Sequence, residues 1–319
     1  MTSNLFINGF SIFLVAIGQL FSAIYPNLQV SPLANAQHIH VPEQMDLQQA
    51  INQISNGGVI EMAAGTYASP AQGFQISDLH KGFTILGDPG ATVTIDGGGA
   101  RPLVRFINSS LAACGPVQFQ NLTFSHGYSN TLGLAAGITV MNAYATFIDT
   151  RFTNNSVGGS GTGGATSISN NSTALFINAL WQNNTAVNYG AGLAVATHAK
   201  VYIHNSQFLN NRANPPGHAP TAAGGAIHVG NSILRVNLLK GQLPVLRCSI
   251  QIQGSIQIGV AAGCAKADRT APLQLEQQVI ILQVGIRLSR KVEAVIPGMV
   301  DRSRGEASLE DIRCLCIFF

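Results

Sequence analysis

The side chains best suited to acid–base chemistry lie in one stretch of the chain. Asp78, Asp88 and Asp96 each follow a short apolar segment, and Arg101 and Arg105 come soon after them. A typical glycoside hydrolase uses two carboxyl groups about 5 to 9.5 Å apart. A calcium-dependent lyase surrounds its cation with about six to eight oxygen ligands. These five residues are therefore the candidates for a hydrolase or lyase centre, with Ca²⁺ as a cofactor only in the lyase case.

The remainder of the chain up to residue 237 offers little further chemistry. Between Gly97 and Asn237 the only carboxylate is Asp149, and it occupies a position that elsewhere holds Asn. The histidines are scattered without the short fixed spacing of a metal site, so we predict neither a metal nor a cofactor. This shortage of carboxylates favours a non-catalytic protein and makes Asp149 a structural residue.

A unit of eight residues recurs four times and organises this region. The copies are Val117–Phe124, Ala145–Phe152, Ala174–Trp181 and Val201–Phe208. The fifth position is always Asn or Asp, at Asn121, Asp149, Asn178 and Asn205, and the eighth is a large aromatic, at Phe124, Phe152, Trp181 and Phe208. Repeats spaced 20 to 50 residues apart indicate a solenoid, because one unit cannot bury its own apolar face.

Alternation of apolar residues with period two, as in Val117 and Phe119, predicts that each unit contains strands rather than helix. In a stack of such coils, equivalent residues lie about 4.8 Å apart. The Asn and Asp residues of the fifth position are therefore expected to form a side-chain ladder. The aromatic residues of the eighth position are expected to stack inside the coil.

Before the repeats, residues 46–56 predict a short amphipathic helix. Asp46 can cap its first turn, Leu47, Ala50 and Ile51 form an apolar stripe with Ile54, and a glycine pair ends it.

On these features, the region from about residue 40 to residue 237 resembles the pectin-lyase-like right-handed parallel β-helix superfamily. The likeness is to its repeat-rich secreted and outer-membrane branches. It implies an all-β fold, a single-stranded right-handed parallel β-helix solenoid, with an N-terminal amphipathic capping helix. That fold hosts lyases, hydrolases, adhesins and inert surface proteins, so activity does not follow from it. The arginine-bearing and Asp-pair motifs of the pectinolytic members are not visible in this sequence.

The N-terminal segment has the features of an export signal. An apolar run from Leu5 to Tyr25 is followed by Ala34-Asn35-Ala36, which predicts a signal peptide over residues 1–36 with cleavage after Ala36. An uncleaved membrane anchor is the alternative, since the run is close to the ~20 residues that span a bilayer. After cleavage, we expect no membrane insertion.

The repeat pattern ends at Asn237, within a fifth unit. Asn is frequent up to that point and absent from residues 238–319, where Cys248, Cys264, Cys314 and Cys316 lie. We therefore divide the chain into the signal peptide, a β-helix domain over 37–237 with clear repeats over 117–237, and an atypical tail over 238–319. The break favours a frameshifted or truncated reading frame; an unrelated capping module and a disordered or partner-binding tail are the alternatives.

Composition narrows the range of partners. Only 10% of the 319 residues are charged and the formal net charge is +3, which provides no field for binding nucleic acid. We expect an exported protein, secreted or at the cell surface or outer membrane, that acts as a non-catalytic adhesion or glycan-contacting solenoid. Its expected partner is extracellular polysaccharide or a cell surface. A polysaccharide lyase or glycoside hydrolase is the second hypothesis.

Overall fold

The computed structural model describes residues 36–113, 115–159, 163–213, 225–239, 250–261, 280–282 and 315–317. The predicted signal peptide and most of the predicted tail lie outside these residues.

The first part of the described chain contains one α-helix, α1 (Leu47–Gln53), and seven short strands. The strands are β1 (His38–Val41), β2 (Gly58–Met62), β3 (Gly65–Ala68), β4 (Phe74–Ile76), β5 (Phe83–Gly87), β6 (Val93–Asp96) and β7 (Val104–Ile107), followed by a 3-10 turn at Leu111–Ala113. Inward and outward residues alternate along them, as in β2 and β5, which explains the period of two in the sequence.

The repeat units form four strands per coil, one more than the earlier coils. The first two coils contain β8 (Val117–Gln120), β9 (Thr123–Ser125), β10 (Tyr128–Ser129), β11 (Ile138–Met141), β12 (Tyr144–Ile148), β13 (Arg151–Thr153), β14 (Ser156–Val157) and β15 (Thr166–Ser169). The next two contain β16 (Thr173–Ile177), β17 (Leu180–Gln182), β18 (Thr185–Ala186), β19 (Leu193–Ala196), β20 (Lys200–His204), β21 (Gln207–Leu209), β22 (Arg212–Ala213) and β23 (Ile227–Leu239).

Strands of successive coils pair in parallel, so the chain forms a parallel β-solenoid. One 14-stranded sheet runs β1-β2-β5-β8-β12-β16-β20-β23-β19-β15-β11-β7-β4, with β24 (Ile250–Ala261) added to β23. The long strand β23 joins the two arms, because its first half pairs with β19 and its second half with β20. A six-stranded sheet (β21-β17-β13-β9-β6-β3) and a four-stranded sheet (β10-β14-β18-β22) complete the coils.

Two further strands are described in the tail. β25 (Ile280–Leu282) and β26 (Leu315–Ile317) pair with each other in antiparallel orientation.

A helix is present within the predicted range 46–56, as α1, but it ends at Gln53, earlier than the glycine pair that was expected to end it. The Asp46 side chain accepts a hydrogen bond from the Gln49 backbone, and the Gln49 side chain accepts one from the Asp46 backbone, which makes a capping box. Leu47, Ala50 and Ile51 are buried in the same apolar core as the strands. In the described part of the chain, no helix has both the length and the apolar character needed to cross a membrane.

Two adjacent columns of small residues let the backbones of neighbouring coils approach closely. In the register of the coils, Gly137 aligns with Ala165 and Gly192, while Ala136 aligns with Gly164 and Ala191. A Cβ atom on Gly164 would lie 2.4 Å from the carbonyl oxygens of both Ala191 and Thr185. Glycine is therefore required at this position because backbone atoms fill the space.

Candidate functional site

The three candidate acids lie at three different corners of the coils. Asp78 follows β4, Asp88 follows β5, and Asp96 is the last residue of β6. The Asp88 side chain is exposed, and its backbone carbonyl accepts a 2.6 Å hydrogen bond from Asn121 Nδ2. None of the hydrogen bonds or ion pairs among the described residues joins two of the three carboxyl groups.

Asp78 stabilises the turn of the next coil. Its Oδ1 accepts hydrogen bonds from the backbone N–H of Ser109 at 2.8 Å and from the Ser109 hydroxyl at 2.9 Å. These two donors, the backbone first, hold the pKa of the Asp78 carboxyl below its ordinary value. A carboxylate that stays ionised in this way is unsuited to serve as a general acid, which must be protonated before it reacts.

Asp96 is paired with His126, a residue outside the candidate cluster. Asp96 Oδ2 lies 2.8 Å from His126 Nδ1, and Asp96 Oδ1 accepts a hydrogen bond from Gly98 N–H. The Ser125 hydroxyl lies 3.1 Å from the same His126 Nδ1. A nucleophilic Ser–His–Asp relay needs its serine and its aspartate on opposite ring nitrogens. Ser125, His126 and Asp96 therefore do not form such a relay.

The two candidate arginines also have separate partners. Arg101 donates from Nη1 to the Ser69 carbonyl at 2.9 Å. Arg105 is buried, with 6% of its surface exposed, and donates from Nη1 to the Ala135 carbonyl and to Thr139 Oγ1 at 2.6 and 2.7 Å. Burial lowers the pKa of the Arg105 guanidinium to about 10.

Arg105 lies where the four-stranded sheet begins, which explains its contacts. Its Nη2 donates to the hydroxyl of Ser129 on β10, the first strand of that sheet, at 3.3 Å. The coil that contains Arg105 has no strand equivalent to β10, so polar groups of the following coil would lack partners at this end. The long guanidinium side chain satisfies them, and no carboxylate of the described residues forms an ion pair with it.

The predicted ladder residues make direct contacts between coils. Asn178 Nδ2 donates to Asp149 Oδ1 at 3.0 Å, and Asn205 Nδ2 donates to Asn178 Oδ1 at 2.6 Å. Asn121 donates instead to the carbonyls of Gly87 and Asp88. All four ladder residues have left-handed backbone, with φ between 46° and 54°. Asn and Asp tolerate this conformation better than most residues, which accounts for their recurrence at this turn.

A second ladder lies inside the solenoid. Asn155, Asn184 and Asn211 are the second residues of Asn-Asn pairs, and the first two are fully buried. Asn184 Nδ2 donates to the Phe152 carbonyl and to Asn211 Oδ1, both at 2.8 Å, while Asn184 Oδ1 accepts from the backbone and side chain of Asn155. The pairs are visible in the sequence, but nothing in it indicates which residue of each pair turns inward.

The aromatic residues of the eighth position stack along the interior. Ring centroids are 5.0 Å apart for Phe124 and Phe152, 5.4 Å for Phe152 and Trp181, and 4.3 Å for Trp181 and Phe208. The indole N–H of Trp181 donates to Thr166 Oγ1 at 2.9 Å. Because these rings are buried, they are not available as a platform for sugar rings.

One cluster of titratable groups was missed by the sequence analysis. His38 Nδ1 lies 2.6 Å from Glu61 Oε1, and His40 Nδ1 lies 3.1 Å from Glu61 Oε2. The cluster could have been found in the sequence from the spacing of two residues between His38 and His40, because this spacing within a strand places both imidazoles on one face. Among the described residues, no group of three His, Cys, Asp or Glu side chains is arranged to hold a metal ion.

Comparison with known proteins yields no relative. No protein-family model matches the chain, and neither a curated protein nor a solved structure is significantly similar to it.

Proposed function

We propose that this chain is an exported, non-catalytic surface protein whose solenoid contacts glycans or a cell surface. The observation that supports it is that the candidate residues bind different structural partners. Asp78 is bound to Ser109, Asp96 to His126, and Arg105 to carbonyl and hydroxyl oxygens of the next coil. Each is used to close a turn or an edge of the solenoid. A catalytic centre instead needs its acid and base directed at one reacting atom.

We infer a right-handed β-helix of the pectin-lyase-like type, because connections between parallel strands of one sheet are right-handed in about 98% of cases. We infer also that α1 caps its N-terminal end. The Gln48 side chain pairs with both the N–H and the carbonyl of Gln75, on β4, which is the terminal strand of its sheet arm. Covering a sheet edge in this way prevents pairing with other chains.

Export is supported by the apolar run and the Ala34-Asn35-Ala36 site. Fusing residues 1–36 to a reporter enzyme, and comparing it with a fusion in which Leu14 and Val15 are replaced by Asp, tests this part. We expect the reporter outside the cytoplasm only with the unaltered segment. Equal distribution of both fusions would contradict export.

Glycoside cleavage is the second candidate, and one observation favours it. His126 has its Nδ1 bound to Asp96, and its side chain is half-exposed, so its Nε2 is oriented by a carboxylate as in a general base. Asp88 is an exposed candidate acid at a different corner of the coils, so this hypothesis assigns it no contact with His126.

The two functions are separated by assaying binding and cleavage on the same samples. The full chain and its Asp88→Asn/Asp96→Asn variant are incubated with neutral and acidic polysaccharides. Sedimentation with the insoluble polymers measures binding, and new reducing ends or unsaturated uronides measure cleavage. We expect binding without products, equal in both proteins. Products formed by the unaltered chain and lost in the variant would show that it is an enzyme.

A further inference from the structure

A wide, open cleft at the N-terminal end of the solenoid is large enough to accept a small ligand. It lies between α1, the turn before β4 and the segment after β4, and has a volume of about 540 Å³. Sites for small molecules have volumes of about 300 to 1,000 Å³. Four side-chain amides line it, those of Gln48, Asn52, Gln72 and Gln75, together with the Ser77 hydroxyl. We refer to it as the amide cleft.

Part of this lining is held rigidly by hydrogen bonds. Gln48 Nε2 donates to the Gln75 carbonyl at 3.0 Å and to Asn52 Oδ1 at 3.1 Å, and Gln48 Oε1 accepts from Gln75 N–H at 2.8 Å. Gln75 Nε2 donates to the carbonyls of Gln72 and Gly73. These bonds fix the side chains of Gln48, Asn52 and Gln75 before any ligand arrives, which reduces the entropy lost on binding.

The same bonds leave a defined set of polar groups unused. Within the described part of the chain, four polar groups of the lining have no hydrogen-bond partner. They are Gln75 Oε1, Asn52 Nδ2, the Gln72 amide and the Ser77 hydroxyl. An amide presents an acceptor and two donors, and a hydroxyl presents both functions. This set is complementary to a row of sugar hydroxyls, each of which also donates and accepts.

The lining of the cleft contains no ionisable side chain. Two charged groups close in sequence to the lining have protein partners, since Lys81 Nζ donates to the carbonyls of Asn52 and Ile54, and Asp78 is bound to Ser109. An anionic ligand would find no counter-charge, and a cationic ligand would find no carboxylate. The chemistry therefore selects an uncharged ligand rich in hydroxyl groups.

We propose that the amide cleft binds an uncharged oligosaccharide. This inference rests on the proposed glycan-contacting function and gives it a ligand class and a location. Asn52 and Gln75 provide a fixed donor and a fixed acceptor, and Gln72 and Ser77 close on the ligand from the exposed side. The apolar surface of Leu79, also in the lining, packs against the less polar face of a sugar ring.

The test uses the full chain and neutral hexasaccharides of glucose, mannose and xylose, with hexagalacturonate as the acidic probe, in isothermal titration calorimetry. The variant is Gln72→Ala/Ser77→Ala, which removes only side chains that are exposed and without described contacts, so the fold is retained. Gln207→Ala is the matched control, because Gln207 is an exposed glutamine on β21 with no side-chain hydrogen bond to a described residue. We expect at least one neutral hexasaccharide to bind, about tenfold more weakly to the double variant and equally to Gln207→Ala.

Three results would overturn the inference. They are no binding of any neutral hexasaccharide, tighter binding of hexagalacturonate than of the neutral probes, and unchanged affinity in the double variant. In the third case the chain still contacts glycans, so the proposed function survives and only the location is wrong. Absence of binding to all hexasaccharides, combined with absence of binding to polysaccharides and cells, would reject both.

Discussion

The inner ladder leads to a strong prediction about stability, centred on Asn184. Its side chain makes four hydrogen bonds, two to Asn155, one to the Phe152 carbonyl and one to Asn211. Replacement by Ala removes all four and leaves the Asn155 backbone N–H without a partner. Because Asn184 is 0% exposed, solvent has no direct access to these groups. A net value of about 0.5 to 1.5 kcal/mol for each bond predicts a loss of roughly 2 to 6 kcal/mol.

The adjacent Asn183 is a matched control with the same chemistry and the same local sequence. Its side chain is exposed and makes no hydrogen bond to a described residue, and its φ is 56°. Asn183→Ala therefore loses only the tolerance of Asn for left-handed backbone, about 1 to 2 kcal/mol. Asn183→Gly should be close to neutral, because glycine adopts this conformation freely.

Trp181 is a suitable probe for this experiment, because it is the single tryptophan of the chain and is fully buried in the same coil. Its fluorescence during urea unfolding gives the free energy of unfolding, and far-UV circular dichroism on the same samples shows whether the transition is cooperative. If Asn184→Ala costs no more than Asn183→Ala, the buried amide ladder does not stabilise the solenoid in the way described.

Three further predictions concern the core and its pH dependence. Gly164→Ala should lower the free energy of unfolding by about 2 to 3 kcal/mol, because its Cβ would meet two carbonyl oxygens at 2.4 Å. Ala191→Gly, at the aligned position of the next coil, should lower it by about 1 kcal/mol or less. Equal losses in urea unfolding would contradict the steric explanation. Trp181→Phe should lower the free energy of unfolding by about 1 kcal/mol, chiefly through loss of the hydrogen bond to Thr166, whereas Trp181→Ala should lower it by about 3 to 5 kcal/mol. Both values can be measured by circular dichroism, and similar losses in the two variants would mean that stacking contributes little. Burial lowers the pKa of His228 below its ordinary value of 6.5, so on acidification the unfolded chain binds a proton before the folded chain does. The free energy of unfolding should therefore decrease as the pH falls from about 6.5. His228→Phe should flatten this dependence, and an unchanged slope would assign the dependence to other groups.

The stacking of the coils could be predicted because its signals are local to each repeat. Alternation within each unit defines the inward residues, and the constant position of Asn or Asp marks the turn. These two features suffice to align Phe147 with Phe176 and Ala145 with Ala174, as the strand register of β12 and β16 shows. No contact between distant residues had to be known beforehand.

Other features depend on which of two adjacent residues occupies a given position in the coil, and the sequence does not reveal this. Each repeat contains a glycine at a similar place in the sequence, yet Gly137 and Gly164 belong to neighbouring columns, and glycine alternates between the two columns from coil to coil. In the Asn-Asn pairs, the first residue adopts left-handed backbone, as at Asn183 with φ 56°, and the second then turns inward. Both choices are made by packing against the next coil, about 30 residues away in sequence.

The candidate acids were identified by proximity in sequence, and the geometry of the turns explains the position of one of them, Asp78. Asp78 and His126 have φ values of 47° and 51°, close to that of Asp149 at 52°, so all three occupy left-handed turn positions that Asn fills in most later coils. Asp78 also contacts the following coil, through Ser109, in the manner of the Asn ladders. Asp78 is therefore explained by the same backbone requirement as the asparagines, and its presence at that corner is no independent indication of catalysis.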